Sequence, residues 1–179
     1  MFRPSSSRTP QQMYAFLTSE EFLNEPNQGP IVEGLEVQKQ RILETVLRRV
    51  PELEHYTFDY ADLARHAKVS EDEARRRWRH LELWNEEFGL DVDIYDEIIT
   101  MAVDRAFKGE KEQQAMNALW EICRIARREW RLQAYDPQLE RLVDVDLAAD
   151  REAMLTDYRR IGISRYFTAK PGKPRWKFW

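Results

Sequence analysis

The sequence predicts an all-α protein. Apolar residues recur at spacings of three and four over much of residues 35–161, which is the period of amphipathic helices. Two of these runs begin at Asp59 and Ser70, residue types that accept hydrogen bonds from the free amides at a helix start. No run of alternating apolar and polar residues of useful strand length stands out. We therefore expect helices connected by short loops.

The composition argues against several classes of protein. The chain has 179 residues, 42% of them hydrophobic, which suits one folded domain with polar ends. Its apolar stretches are too short to span a bilayer, and Cys123 stands alone, so no internal disulfide can form. His55, His66 and His80 are not at metal-ligand spacing, and no phosphate-binding loop or nucleophile motif occurs. We expect no enzymatic activity, no cofactor, no metal site, no membrane association and a cytoplasmic location.

The charge is unevenly distributed along the chain. Residues 158–179 contain seven basic residues and no acidic one, so that the rest of the chain, with the total at -4, carries -11. A second basic cluster, residues 75–80, contains four arginines. Charge runs are often only solvated faces, but two separate positive features on an acidic body also suit contact with a polyanion or an acidic partner.

Residues 1–35 are predicted to form a flexible N-terminal arm. They are rich in Ser, Pro, Gln, Asn and Gly, with one apolar island from Met13 to Leu23. The island is too short to fold alone, so we expect its aromatic rings to dock on a neighbouring subunit or on the body of the same chain.

Residues 36–88 are predicted to form a three-helix unit. The first helix covers Leu35–Val50 and stops at Pro51, and the second covers Asp59–Ala67. The third begins at Ser70, where Glu71–Glu73 place acids at the positive end of the helix dipole. The inward positions of this third helix are Ala74, Trp78 and Leu81, with Trp84 at the end of the run.

The tight second turn in Leu63-Ala64-x-x-Ala67-x-Val69-Ser70 meets the needs of a helix-turn-helix. Small residues allow the helices to cross closely, Val69 fills the corner and Ser70 caps the helix that would enter a major groove. With the apolar pattern that starts at Ile42 and an aromatic at Trp78, residues 37–82 resemble the DNA-binding domain of TetR-like regulators. A three-helix bundle used only for packing is the alternative interpretation.

The resemblance implies double-stranded DNA as the partner and assigns two groups of contact residues. The recognition-helix group is Arg75, Arg76, Arg77 and Arg79. The group at positions suited to phosphate contact is Tyr56, Thr57 and Arg65.

Residues 90–161 are predicted to be a helical region that mediates oligomerisation. Ile94–Phe107 and Glu110–Ala134, separated by Lys108-Gly109, have the pattern of a helical hairpin, and further helix is expected after Asp136-Pro137. In layout and size, a helix-turn-helix followed by a hairpin and a basic tail is similar to the small terminase subunits of tailed phages.

Residues 162–179 are predicted to be an irregular, basic and aromatic tail that binds a partner. Pro171, Gly172 and Pro174 deny it regular structure. Its partner could be an acidic groove on another protein, a second copy of this chain or single-stranded nucleic acid. The expected partner-binding residues are Arg165, Tyr166, Phe167, Arg175, Trp176, Phe178 and Trp179.

These observations predict a DNA-binding helix-turn-helix protein, a transcriptional regulator that self-associates through its C-terminal helices. The alternative is a structural or DNA-packaging component of a phage-like assembly, a small-terminase-like or virion protein whose arms dock on neighbouring subunits. The protein would then be virion-associated rather than free in the cytoplasm.

Overall fold

A computed structural model describes residues 31–96, 98–104, 106–136 and 141–161, together with Gln12. The side chains of Arg160 and Ile161 are not described. The predicted arm and the predicted tail, with all its partner-binding residues, lie outside these ranges apart from Gln12 and residues 31–35. In chain order the elements are α1 (Glu33–Arg49), β1 (Glu54–Tyr56), α2 (Tyr60–Ala67), α3 (Glu71–Arg77), β2 (Leu81–Asn85), β3 (Leu90–Ile94), β4 (Ile99–Val103), α4 (Glu110–Trp130), β5 (Ala134–Asp136), β6 (Arg141–Val143) and α5 (Ala148–Ile161).

The prediction of an all-α fold is wrong, because two antiparallel sheets accompany the helices. The larger sheet has the order β1-β2-β3-β4, and the smaller sheet consists of β5 and β6. In the larger sheet Leu83 of β2 lies opposite both His55 of β1 and Val92 of β3. Val92 in turn lies opposite Met101 of β4. The chain is therefore a mixed α and β protein.

The acidic residues of β3 concealed its strand pattern. Leu90, Val92 and Ile94 are fully buried, whereas the alternating Asp91 and Asp93 are only half-buried, which is the two-residue period of a strand with one covered face. The start of the predicted helix Ile94–Phe107 instead forms the turn between β3 and β4, where Tyr95 N–H donates to Ile98 O at 2.8 Å.

The third predicted helix ends earlier than its apolar pattern indicates. Trp78 has φ -105° and ψ 52° and ends α3, and Leu81 and Trp84 lie in β2 rather than on a helix. Strand β2 is paired on both sides, with β1 and with β3. Those inter-strand hydrogen bonds replace the ones that a longer helix would have made.

The predicted central helical hairpin is wrong in its first arm. That arm contains the last residue of β3 and the whole of β4, whereas the second arm is confirmed as α4, which ends at Trp130. Downstream, β6 and α5 lie in the stretch after Asp136-Pro137 where further helix was expected, and β6 pairs with β5 in the small sheet. The similarity to small terminase subunits depended on a helical hairpin after the helix-turn-helix. That hairpin is not present in the described residues.

The main core lies between the large sheet and the two longest helices. Leu83, Val92 and Ile99 of the sheet join Ile42 of α1 and Ile122 of α4 in one buried cluster. A second cluster holds the two short helices together, and a third attaches α5 to α4 through Met116, Leu155 and Tyr158. Within the described residues, no helix combines the length and the apolar character needed to cross a bilayer.

Two short helices and a β-hairpin follow one another in the middle of the chain. Here α2 and α3 are the two short helices, and β2 and β3 form the hairpin. Strand β1, which precedes α2, pairs with β2. The two short helices therefore form the connection between two neighbouring strands of one sheet. This connection fixes where the helix pair sits on the body of the protein.

The hairpin turn between β2 and β3 requires a glycine. Gly89 has φ +62°, and a Cβ atom there would lie 2.5 Å from the Phe107 ring and 2.6 Å from Cβ of Asp104. We expect Gly89→Ala to lower the free energy of unfolding by about 2 kcal/mol or more, because the left-handed conformation costs an L-residue about 1–2 kcal/mol before any clash. Urea unfolding measures the change.

Gly34 provides the matched control for this prediction. It lies in α1, and a Cβ atom there meets no other atom within 4 Å. Gly34→Ala should be neutral or stabilising, since alanine is the better helix former. Equal stability of the two variants would show that the Gly89 turn tolerates a side chain.

Candidate nucleic-acid interface

The helix-turn-helix has a small hydrophobic core of its own. Phe58, Leu63, Ala64, Ala74 and Trp78 form one buried cluster, with Tyr56, Tyr60 and Val69 packed against it. The predicted burial of Trp78 is confirmed at 8% exposure, and Leu63 shares its cluster. Val46 of α1 belongs to the main core and not to this cluster.

The caps and the tight turn are confirmed at the predicted positions. Asp59 accepts a hydrogen bond from the Asp62 amide at 3.0 Å, and Ser70 Oγ accepts one from the Glu73 amide at 3.1 Å. Lys68 ends α2 in the left-handed conformation with φ 57° and ψ 43°. Val69 N–H then donates to Ala64 O at 3.0 Å and closes the turn. These local contacts set the direction of α3 relative to α2.

Three of the predicted DNA contacts lie on α3 and reach solvent. Arg75 and Arg76 are exposed, and Arg77 is about one-third exposed. Each pairs with an acid on the same helix: Arg75 with Glu71 at 2.5 Å, Arg77 with Glu73 at 2.7 Å, and Arg76 also with Glu73. Exposed pairs of this kind contribute only about 0.3–0.5 kcal/mol, so a phosphate can replace the glutamate.

Arg75 has a second contact that holds its guanidinium over the helix pair. The Arg75 guanidinium carbon lies 4.6 Å from the centre of the Tyr60 ring, a cation–π geometry. The Tyr60 hydroxyl donates to the carbonyl of Trp78 at 3.1 Å. The side chain of Arg75 is thus directed by α2 as well as by its own helix.

Arg79, the fourth arginine of the cluster, is placed differently from the other three. It is only 8% exposed and pairs with Asp96, and with Glu36 at 3.3 Å. Lys39, which is fully buried, contacts the same two carboxylates, each at 2.9 Å. Lys39 Nζ also donates to the carbonyl oxygen of Arg79 at 3.0 Å. Arg79 therefore joins α1, the end of α3 and the β3–β4 turn, and we leave it out of the interface.

The buried ion network of Glu36, Lys39, Arg79 and Asp96 also sets the protonation of Asp96. Burial acts to raise the pKa of this carboxyl, but the hydrogen bonds from Arg79 and Lys39 outweigh it and hold the pKa below its usual value. Asp96 is therefore ionised at neutral pH, and the network contains two cations and two anions.

The predicted phosphate contacts lie at the end of β1, in the loop after it and on α2. Thr57 is exposed just before α2, and Arg65 is exposed on α2 with its guanidinium 2.8 Å from Asp62. Tyr56 is half-buried, with its ring edge-on to Phe58 at 5.4 Å. Burial, and next the nearby carboxylate of Glu82, raise the pKa of Tyr56, so its hydroxyl stays neutral and can donate a hydrogen bond.

Negative charge limits where a polyanion can approach. Glu71 and Asp72 are exposed on the first turn of α3, and Glu86 and Glu87 are exposed at the tip of the hairpin. On α3 the basic residues lie in the second half of the helix, from Arg75 to Arg77. A nucleic acid would therefore have to contact that half and avoid both acidic points.

One group of polar side chains escaped sequence analysis, on the face of the sheet opposite the main core. Glu82 of β2 lies directly opposite Asp93 of β3, and His80 lies two residues before Glu82. Ligand atoms of these three side chains all lie within 4.8 Å of one another. The sequence signal that could have identified this group is the two-residue spacing of His80 and Glu82. That spacing places two side chains on one face in extended chain but not in a helix.

The chain matches no known protein-family profile, no curated protein and no solved structure.

Proposed function

We propose that this protein binds double-stranded DNA through its helix-turn-helix and acts as a transcriptional regulator in the cytoplasm. The observation that supports this proposal is the exposed cationic half of α3, where Arg75, Arg76 and Arg77 lie on a helix held by its own core. A recognition helix needs a rigid support and outward side chains that reach bases and phosphates. Tyr56, Thr57 and Arg65 are the proposed additional backbone contacts.

The in-helix ion pairs are compatible with this role. Glu71 and Glu73 keep the arginine side chains ordered in the free protein, since they lie three or four residues away on the same helix. Because such pairs are weak and screened by salt, DNA phosphates compete with them effectively. The arginines then release from the glutamates and contact the duplex.

The test measures the DNA affinity of the wild type and of the double variant Arg75→Gln/Arg76→Gln at several salt concentrations. Each lost phosphate contact is expected to reduce the slope of log K against log salt by about 0.9, so we expect a slope smaller by about 1.8 and weaker binding. Fluorescence anisotropy with a labelled duplex measures both quantities. Circular dichroism checks that helix content is unchanged.

The matched control is Arg127→Gln/Arg128→Gln, which makes the same charge change on the exposed side of α4. This variant should keep the wild-type slope. If both double variants lose the same affinity and slope, only the total charge matters and α3 is not the recognition helix. If neither changes binding, the helix-turn-helix does not contact DNA.

Self-association through residues 90–161 is the second part of this proposal. A regulator of this kind binds two half-sites as a dimer, with a spacing set by the geometry of the dimer. Light scattering on the full chain, with and without a duplex, gives the mass directly. A mass of one chain in both conditions would contradict the dimer.

A further inference from the structure

We propose that His80, Glu82 and Asp93 form a binding site for one divalent metal ion of the zinc class. The three residues lie on the sheet face away from the main core, where the chain leaving α3 enters β2 and faces β3. This site is separate from the arginines of α3 and does not depend on the proposed DNA binding.

Strand register brings the three side chains together. His80 lies directly before β2, with its Nε2 atom 2.9 Å from Glu82 Oε1. Glu82 is the direct cross-strand partner of Asp93. Their ligand atoms lie within 4.8 Å of one another. Bonds of 2.0–2.2 Å in a tetrahedral zinc site place the donor atoms about 3.4 Å apart. Zinc binding therefore requires these side chains to move closer together.

The charges of the cluster favour a cation. Carboxylates directly opposite each other on paired strands repel. Among the described residues, the one basic side chain within 4 Å of the Glu82 carboxylate is His80, with Nε2 at 2.9 Å from Oε1. A divalent ion between Glu82 and Asp93 would neutralise both carboxylates.

The surroundings of His80 provide an independent observation. This residue is only 5% exposed, its ring stacks on Tyr95 at 4.9 Å, and Phe58 lies edge-on at 5.0 Å. Its Nδ1 atom is buried without a hydrogen-bond partner in the part of the chain that the structure describes. Buried imidazole nitrogens are normally satisfied. When Nε2–H donates to the Glu82 carboxylate at 2.9 Å, Nδ1 is the ring nitrogen whose lone pair is left for a ligand.

The donor set selects the class of ion. One imidazole nitrogen and two carboxylate oxygens suit Zn²⁺ or Mn²⁺ better than Mg²⁺, which prefers oxygen ligands alone. Three protein ligands leave a fourth position for water. Thr100 Oγ1 donates to Asp93 Oδ2 at 3.0 Å and so fixes one oxygen of that ligand from the outer shell.

Isothermal titration calorimetry of the full, chelator-treated chain with ZnCl₂ is the experiment. We expect saturable binding of one Zn²⁺ per chain and a higher midpoint of thermal unfolding with zinc present. The variants Glu82→Gln and Asp93→Asn retain shape and remove the carboxylate repulsion, so they should fold. Each should lose roughly 100-fold in Zn²⁺ affinity, the upper end of what an outer-shell partner alone contributes.

Two controls make the result specific. Asp91→Asn makes the same charge change on the same strand and lies opposite Trp84, outside the cluster, so its Zn²⁺ affinity should match the wild type. His66→Gln removes an exposed histidine that lies near Asp62 and should also bind normally. In a ring-nitrogen NMR spectrum, zinc should shift the His80 signals and leave those of His66 unchanged.

Either of two results would overturn the proposal. One is the absence of saturable binding of Zn²⁺ or Mn²⁺ tighter than about 1 mM. The other is stoichiometric binding that Glu82→Gln and Asp93→Asn leave unchanged. Because none of these measurements uses DNA, failure here is distinguishable from failure of the proposed function.

Discussion

Replacing Asp96 by Asn is expected to lower the free energy of unfolding by about 3–5 kcal/mol, the usual cost of breaking a buried ion pair from one side. The Asp96 carboxylate contacts Lys39 and Arg79, two cations that are almost completely buried. A neutral amide leaves Glu36 alone to balance both. Because the network joins α1 to the end of α3, the loss affects global unfolding.

Urea unfolding monitored by circular dichroism measures this change. Glu86→Gln is the control, because it removes one carboxylate from the exposed tip of the hairpin and should change stability by no more than about 0.5 kcal/mol. If Asp96→Asn were as stable as Glu86→Gln, the buried ion network would contribute nothing to holding α1 against the helix-turn-helix.

The same network gives an expected response to acid. The pKa of Asp96 is lowered in the folded protein, so its contribution is fully present above its usual pKa near 4 and is lost as the pH falls through the folded value. Below about pH 4 the wild type should therefore lose stability more steeply than Asp96→Asn. Parallel pH profiles of the two proteins would show that Asp96 does not titrate with unfolding.

Trp78→Ala is the second substitution with a large expected effect. Trp78 is the largest side chain of the cluster that holds α2 and α3 together, and its four buried neighbours in that cluster include two alanines. Truncation of a buried tryptophan costs about 3–5 kcal/mol through lost transfer free energy and a cavity. Calorimetric unfolding measures the total, and amide hydrogen exchange should show α2 and α3 opening before α4.

Trp78→Phe keeps most of the apolar volume and serves as the control. It should lose less stability than Trp78→Ala and keep the exchange protection of α2 and α3. A Trp78→Ala protein with wild-type stability would mean that this cluster does not hold the two helices. The orientation of the α3 arginines would then have no structural support.

The short-range features of this protein could be predicted from the sequence alone. The caps at Asp59 and Ser70, the burial of Trp78 and the helix beginning at Glu110 all occur as expected. Helix hydrogen bonds and caps join residues that are three or four positions apart, so the necessary information lies within one or two turns of chain.

The strands, the burial of Arg79 and the His80, Glu82 and Asp93 cluster were decided by tertiary structure. The apolar spacing around Ile94 fits both a helix and two strands joined by a turn. Only the pairing of β3 with β4 distinguishes the two structures. In the sequence Arg79 cannot be distinguished from the arginines beside it. Its burial depends on contacts with Lys39 and Asp96, which belong to elements that are remote along the chain. These contacts depend on register and packing across the whole fold, which local periodicity does not encode.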